Sequence, residues 1–129
     1  MNLNNKRTTN NTLINCYTLT ENKKVIVDFL KALTDETRLE IIELLQEREM
    51  TAGEIEELLQ KSQSTISQHL SKLVNNSIIK FEKKNNIKHY LIGNNRILNL
   101  INNINSIVLE LSREKFIDLR DLDIKDTLS

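Results

Sequence analysis

The stretch KSQSTISQHLSKL, residues 61–73, is rich in short side chains that both donate and accept hydrogen bonds. If it is helical and turns Ile66, Leu70 and Leu73 inward, then Gln63, Ser64, Thr65, Ser67, Gln68, Ser71 and Lys72 fall on the outer face or its edges. Gln pairs bidentately with an adenine edge, Ser and Thr bond bases or phosphates, and a helix N-terminus attracts a phosphate. A merely solvated helix face is usually decorated with long Glu and Lys pairs instead. Catalytic chemistry is poorly supplied by comparison. The chain has no paired carboxylates at metal-like spacing, no Ser or Cys set with His, and no glycine-rich phosphate loop, so we read no enzyme here. Its single cysteine, Cys16, cannot form a disulfide within the chain and offers one thiolate, which excludes a zinc-finger scaffold. No metal and no cofactor is expected.

The 129 residues suit one small domain whose core gains from a partner. Aromatic residues make up 4 %, so Leu, Ile and Val must fill that core. The absence of Pro and the presence of two Gly argue for helices over a turn-dense sandwich or barrel. No apolar run reaches the roughly 18 to 20 residues of a membrane span, and no apolar leader follows MNLNNKRTTNN, so a cytoplasmic protein is expected. Net charge is zero but sorted along the chain. Residues 61–90 carry six Lys against Glu82, a net of +5, while residues 35–60 carry nine acids against Arg38 and Arg48, a net of −7. The basic part can face a polyanion although the whole is neutral.

Around the opening stretch, periodicity places the elements that must hold it. Residues 1–20 hold six Asn and are expected to be mobile, with Leu13, Ile14, Tyr17 and Leu19 as a possible docking segment. A helix from about Glu21 to Leu33 carries Val25, Ile26, Phe29, Leu30 and Leu33 at three- and four-residue steps. Asp35 caps a second helix with Leu39, Ile42 and Leu45 inward. Thr51 to Glu54 has capping-box spacing and starts a third helix that buries Ile55, Leu58 and Leu59 and ends near Gln60. Ser62 caps the fourth helix, which runs to about Val74, and Asn75 or Asn76 is expected to take the left-handed turn after it. Ile78–Lys84 and Ile87–Ile92 form two strands joined at Asn85-Asn86. From Asn94 to about Phe116, Ile97, Ile101, Ile104, Val108 and Leu111 make a broad apolar stripe able to pack on a second copy, with 118–129 a tail. The domain is therefore expected over residues 21–117.

The resulting class is mainly α with a small β-hairpin wing, in the order α-α-α-α-β-β-α: a winged helix-turn-helix, whose fourth helix enters the major groove and whose wing lies on the flanking backbone. Over residues 29–92, LKALTDETRLEIIELL, EIEELLQKSQSTISQHLSKLVNNSIIK and KHYLI resemble the ArsR/SmtB family of small transcriptional regulators. The resemblance implies a homodimer that binds an imperfect palindrome in double-stranded DNA and represses transcription. It implies Gln63, Ser64, Thr65, Ser67, Gln68 and His69 as recognition-helix positions. It also implies a dimer interface from the first and last helices, here Val25, Phe29, Ile97, Ile101, Ile104, Val108 and Leu111. Lys72, Lys83, Lys84 and Lys88 are assigned to phosphates.

Departures from the family pattern bear on sensing. Many members hold metals by a Cys-x-Cys at the start of the third helix, and here Thr51 and Gly53 occupy those two places. Residues 94–117 contain neither His nor Asp, so the second known metal site has no counterpart either. His69 is either a DNA contact or a packed histidine; His89, in the second wing strand, reads as structural, and Cys16 as an inert thiol. The rival to DNA binding is a winged-helix docking module for another protein, supported by the neutral total charge.

Overall fold

The computed structural model describes residues 22–128. The expected Asn-rich segment and Cys16 lie outside them. The elements are α1 (Lys23–Leu33), α2 (Glu36–Glu47), β1 (Met50–Thr51), α3 (Ala52–Leu59), α4 (Gln63–Asn75), β2 (Ile79–Lys84), β3 (Ile87–Ile92) and α5 (Asn95–Leu128). The helix order and the hairpin are those expected from the sequence; β1 is an addition. It pairs antiparallel with β3, Met50 with Tyr90 and Thr51 with His89, so the wing belongs to a three-stranded sheet of order β1-β3-β2.

The caps follow local chemistry. Asp35 accepts from the Arg38 backbone N–H to start α2. Thr51 and Glu54 form the reciprocal capping box of α3: the Glu54 N–H donates to the Thr51 hydroxyl, and the Thr51 N–H donates to the Glu54 carboxylate at 2.8 Å. Gln60, in the left-handed region at φ 55°, turns the chain from α3 toward α4. Asn85 and Asn86, at φ 52° and 65°, supply the two positive angles of the hairpin turn. The left-handed residue after α4, however, is Ser77 at φ 57°, and neither Asn75 nor Asn76. The reason is a Schellman closure: the Ile78 N–H donates to Leu73 O and the Ser77 N–H to Val74 O, which places Ser77 in that region as the chain turns to bury Ile78.

The chain separates into two compact units, dividing between Ile92 and Gly93. The first unit has its own core: Ala32, Ile41, Ile55, Ile66, Leu70, Leu73, Ile78 and Ile79 are at most 2 % exposed. Two expected core positions are not in it. Leu39 is 41 % and Leu58 is 55 % exposed, because Ile41 and Ile42 on α2 and Ile55 on α3 fill the interior instead. The second unit is one helix that runs on to Leu128, well past Phe116 and through the expected tail. The stretch beyond Phe116 is charged yet free of Pro and Gly, so nothing in it stops a helix. No helix among the described residues is long and apolar enough to cross a membrane.

Candidate nucleic-acid interface

Helix α4 is anchored by Ile66, Leu70 and Leu73, all buried, and capped by Ser62, whose hydroxyl accepts from the Thr65 N–H at 3.3 Å. That spacing leaves Gln63, Ser64, Ser67, Gln68, Ser71 and Lys72 exposed along one side, with Thr65 at its edge. Ser67, Gln68, Ser71, Lys72, Asn75 and Asn76 line a shallow open depression there. The hydroxyls at the N-terminus are already joined to one another. Ser62 Oγ lies 2.8 Å from Thr65 Oγ1 and 3.2 Å from Ser64 Oγ, so the three hydroxyls form one hydrogen-bonded set.

His69 departs from this row. Its Nδ1 lies 3.1 Å from Arg38 Nη1 and 3.6 Å from Asp35 Oδ1, and its side chain is 18 % exposed. Of the two readings left open by the sequence, the geometry places it among packed residues. Burial raises the Asp35 pKa, but the backbone N–H and the guanidinium of Arg38 outweigh it, and the carboxyl is held below its ordinary value.

The wing sorts its lysines onto two faces. Alternation puts Phe81 and Lys83 of β2 beside Lys88 and Tyr90 of β3, with Lys83 directly opposite Lys88. Lys88 Nζ sits 4.3 Å from the centre of the Phe81 ring, a cation-π contact, and Phe81 meets Tyr90 edge-on at 5.9 Å. Burial of Tyr90 pushes its hydroxyl pKa up. On the other face Lys84 is bonded to Glu49, the residue preceding β1, and His89 Nδ1 lies 3.9 Å from the same carboxylate. The Lys84 hydrogen bond lowers the Glu49 pKa, and the same bond raises that of Lys84. Glu49 and Arg38 were not singled out from the sequence as site residues. An arginine at a helix start and a glutamate before a helix cap carry no local mark of partners 31 and 35 residues away.

Of the residues assigned to an interface between copies, Val25 on α1 is 65 % exposed and Phe29 is half-buried. On α5, Ile104, Val108 and Leu111 are exposed, Ile101 is half-buried and Ile97 is buried. Thr51 and Gly53, at the places of the thiolate pair, do not fit a thiophilic metal. The Thr51 hydroxyl is committed to capping α3, and Gly53 has no side chain. Among the described residues no group of three or more His, Cys, Asp or Glu side chains is arranged to hold a metal ion.

Residues 35–80 match the sequence pattern of the family described as "Bacterial regulatory protein, arsR family". The chain is 40 % identical over 85 residues to the arsenical resistance operon repressor of Staphylococcus aureus, covering 65 % of this chain and 81 % of that one. It is 30 % identical over 88 residues to the transcriptional activator HlyU of Vibrio cholerae, covering 68 % and 82 %. In fold it is similar to the homodimeric winged helix-turn-helix DNA-binding domain of Mb0332 from Mycobacterium bovis, with a TM-score of 0.66 at 20 % identity, covering 71 % of this chain and 85 % of that one.

Proposed function

Because the chain belongs to the arsR family of bacterial regulatory proteins and is a transcriptional regulator, we propose that it acts as a cytoplasmic homodimer binding an imperfect palindrome in double-stranded DNA. One observation carries the reading: α4 presents a row of polar side chains outward, Gln63, Ser64, Ser67, Gln68, Ser71 and Lys72, while a buried Ile66, Leu70 and Leu73 stripe holds it from behind. In the major groove Gln63, Ser64, Thr65, Ser67 and Gln68 read or register on bases, and Lys72 meets the backbone. The juxtaposed Lys83 and Lys88 support a phosphate over the wing, since like charges directly opposite destabilise a sheet until an anion bridges them. Lys84, on the opposite face of the wing, reaches a phosphate by giving up Glu49.

The exposed apolar side chains of α1 and α5, Val25, Ile104, Val108 and Leu111 among them, support burial against a second copy, as does the homodimer named for the Mycobacterium bovis domain. A dimer presents two α4 helices to half-sites about one helical turn apart. Repression is the proposed direction, following the Staphylococcus aureus repressor at 40 % identity. Its signal is not a metal held by a thiolate pair at residues 51 and 53.

Selection of duplexes from a random pool by the purified protein tests this. Gln68→Ala is expected to cost about 1 to 3 kcal/mol on the selected site and to do so unequally among bases at one position of each half-site. If Gln68→Ala leaves the sequence preference intact, α4 does not read as described. A pool that is never enriched, with no salt-dependent binding, points to a protein-docking domain instead.

A further inference from the structure

The guanidinium of Arg38 joins three parts of the first unit. Its Nε donates to Ala32 O at 2.6 Å and its Nη2 to Lys31 O at 3.0 Å. Both carbonyls belong to the last turn of α1, and Lys31 O also accepts from the backbone N–H and hydroxyl of Thr34. Its Nη1 reaches Nδ1 of His69 on α4 at 3.1 Å, and the Asp35 carboxylate stands 3.8 Å away. An arginine has donors and no acceptor, so in this bond the His69 Nδ1 is the acceptor. The Arg38 side chain is 11 % exposed. It therefore lies under the surface, at the junction of α1, α2 and α4, where it does not touch a bound duplex.

A planar fork with three acceptors fixes direction as well as distance. His69 is the immediate neighbour of Gln68, and successive residues of a helix point about 100° apart, so the inward aim of His69 sets the outward aim of Gln68. We propose that Arg38 and His69 are positioning residues, a link that sets the rotation of α4 against α1 and thereby aims Ser67 and Gln68 at the base edges. This rests on the DNA-reading role of α4. If α1 lies between two copies, the same link ties the spacing of the two reading helices to the dimer.

The test uses the full chain carrying His69→Leu, His69→Asn, Arg38→Met, and Arg38→Met with His69→Leu. Two readouts are taken: the ratio of affinity for the selected duplex to that for a scrambled one, and amide hydrogen exchange of residues 68–73 without DNA. His69→Leu leaves the Arg38 bonds to α1 in place and removes the acceptor alone, so it remains informative if Arg38→Met folds poorly. Loss of a half-buried, charge-assisted hydrogen bond is expected to lower the ratio about ten-fold in His69→Leu and in Arg38→Met. The double variant is expected to lose no more than the worse single one, as for two ends of one link. His69→Asn, whose Oδ1 accepts near the place of Nδ1, is expected to recover most of the loss. The salt slope stays unchanged because no phosphate contact is removed. Exchange in 68–73 is expected to quicken in both single variants. Losses that multiply in the double variant would mean that His69 touches DNA on its own account, and would overturn the proposal. Unchanged exchange would overturn the link itself, whether or not the wild-type protein prefers any duplex. A wild-type protein without sequence preference but with the expected change in exchange would refute the DNA reading and leave the link standing.

Discussion

Removing the facing wing lysines should alter how DNA binding responds to salt more than it alters sequence preference. Lys83 and Lys88 are exposed and directly opposite across β2 and β3, and among the described residues neither is within an ion pair. Each phosphate contact releases counterions and contributes a slope of about −0.9 to the logarithm of affinity against the logarithm of salt. Two such contacts on each of two wings sum to about 3.6, so between about 50 and 200 mM salt they account for a roughly 150-fold fall in affinity. Lys83→Ala with Lys88→Ala is therefore expected to flatten the slope by up to that amount, measured by fluorescence anisotropy on a labelled duplex, while the ranking of selected and scrambled duplexes is kept. Lys84→Ala is expected to flatten it less, because Glu49 already serves as its counter-charge and is displaced in place of a solution ion. Glu49→Gln should restore Lys84 to the behaviour of an unpaired lysine and steepen the slope. A Lys83, Lys88 double variant with the wild-type slope would refute the assignment of these residues to phosphates.

Two further outcomes follow from the scaffold. Ser77→Gly is expected to raise stability by about 1 kcal/mol, since a side chain at φ 57° carries a left-handed penalty that glycine lacks; a lower urea midpoint would contradict it. Thr51→Ala removes the cap of α3 and should cost about 1 kcal/mol in the same assay. The Thr51 backbone N–H, followed by Arg48, holds the Glu54 carboxyl below the ordinary glutamate value of 4.5. A depressed folded pKa gives stability that is present above the unfolded value and lost as pH falls through the folded one. Acid unfolding followed by circular dichroism below about pH 4.5 should accordingly be less steep in Glu54→Gln than in the wild type.

What was legible in the sequence was what is settled within a few residues. Asp35, Thr51 with Glu54, and Ser62 act on amides three positions away, and Asn85-Asn86 make their own turn. The polar row of α4 was legible too, because three buried residues at helical spacing determine where its neighbours point. Misread features depend on distant partners. Strand β1 is two residues long and exists through pairing with β3, some 40 positions on. Leu39 and Leu58 carry the right periodicity but yield the interior to Ile41 and Ile55. At Ser77 the residue with the better left-handed propensity lost to the one that the Schellman bonds placed there. The inward aim of His69 was undecidable until Arg38 was brought beside it.

Helix α4 is proposed to read a specific duplex. Sequencing of genomic fragments retained by the purified full chain at about physiological salt tests it most directly. A small set of fragments sharing an imperfect palindrome with half-sites about one helical turn apart is expected to be recovered, and to be lost on Gln68→Ala. Retention of fragments without a shared sequence, or of none at all, would contradict that reading.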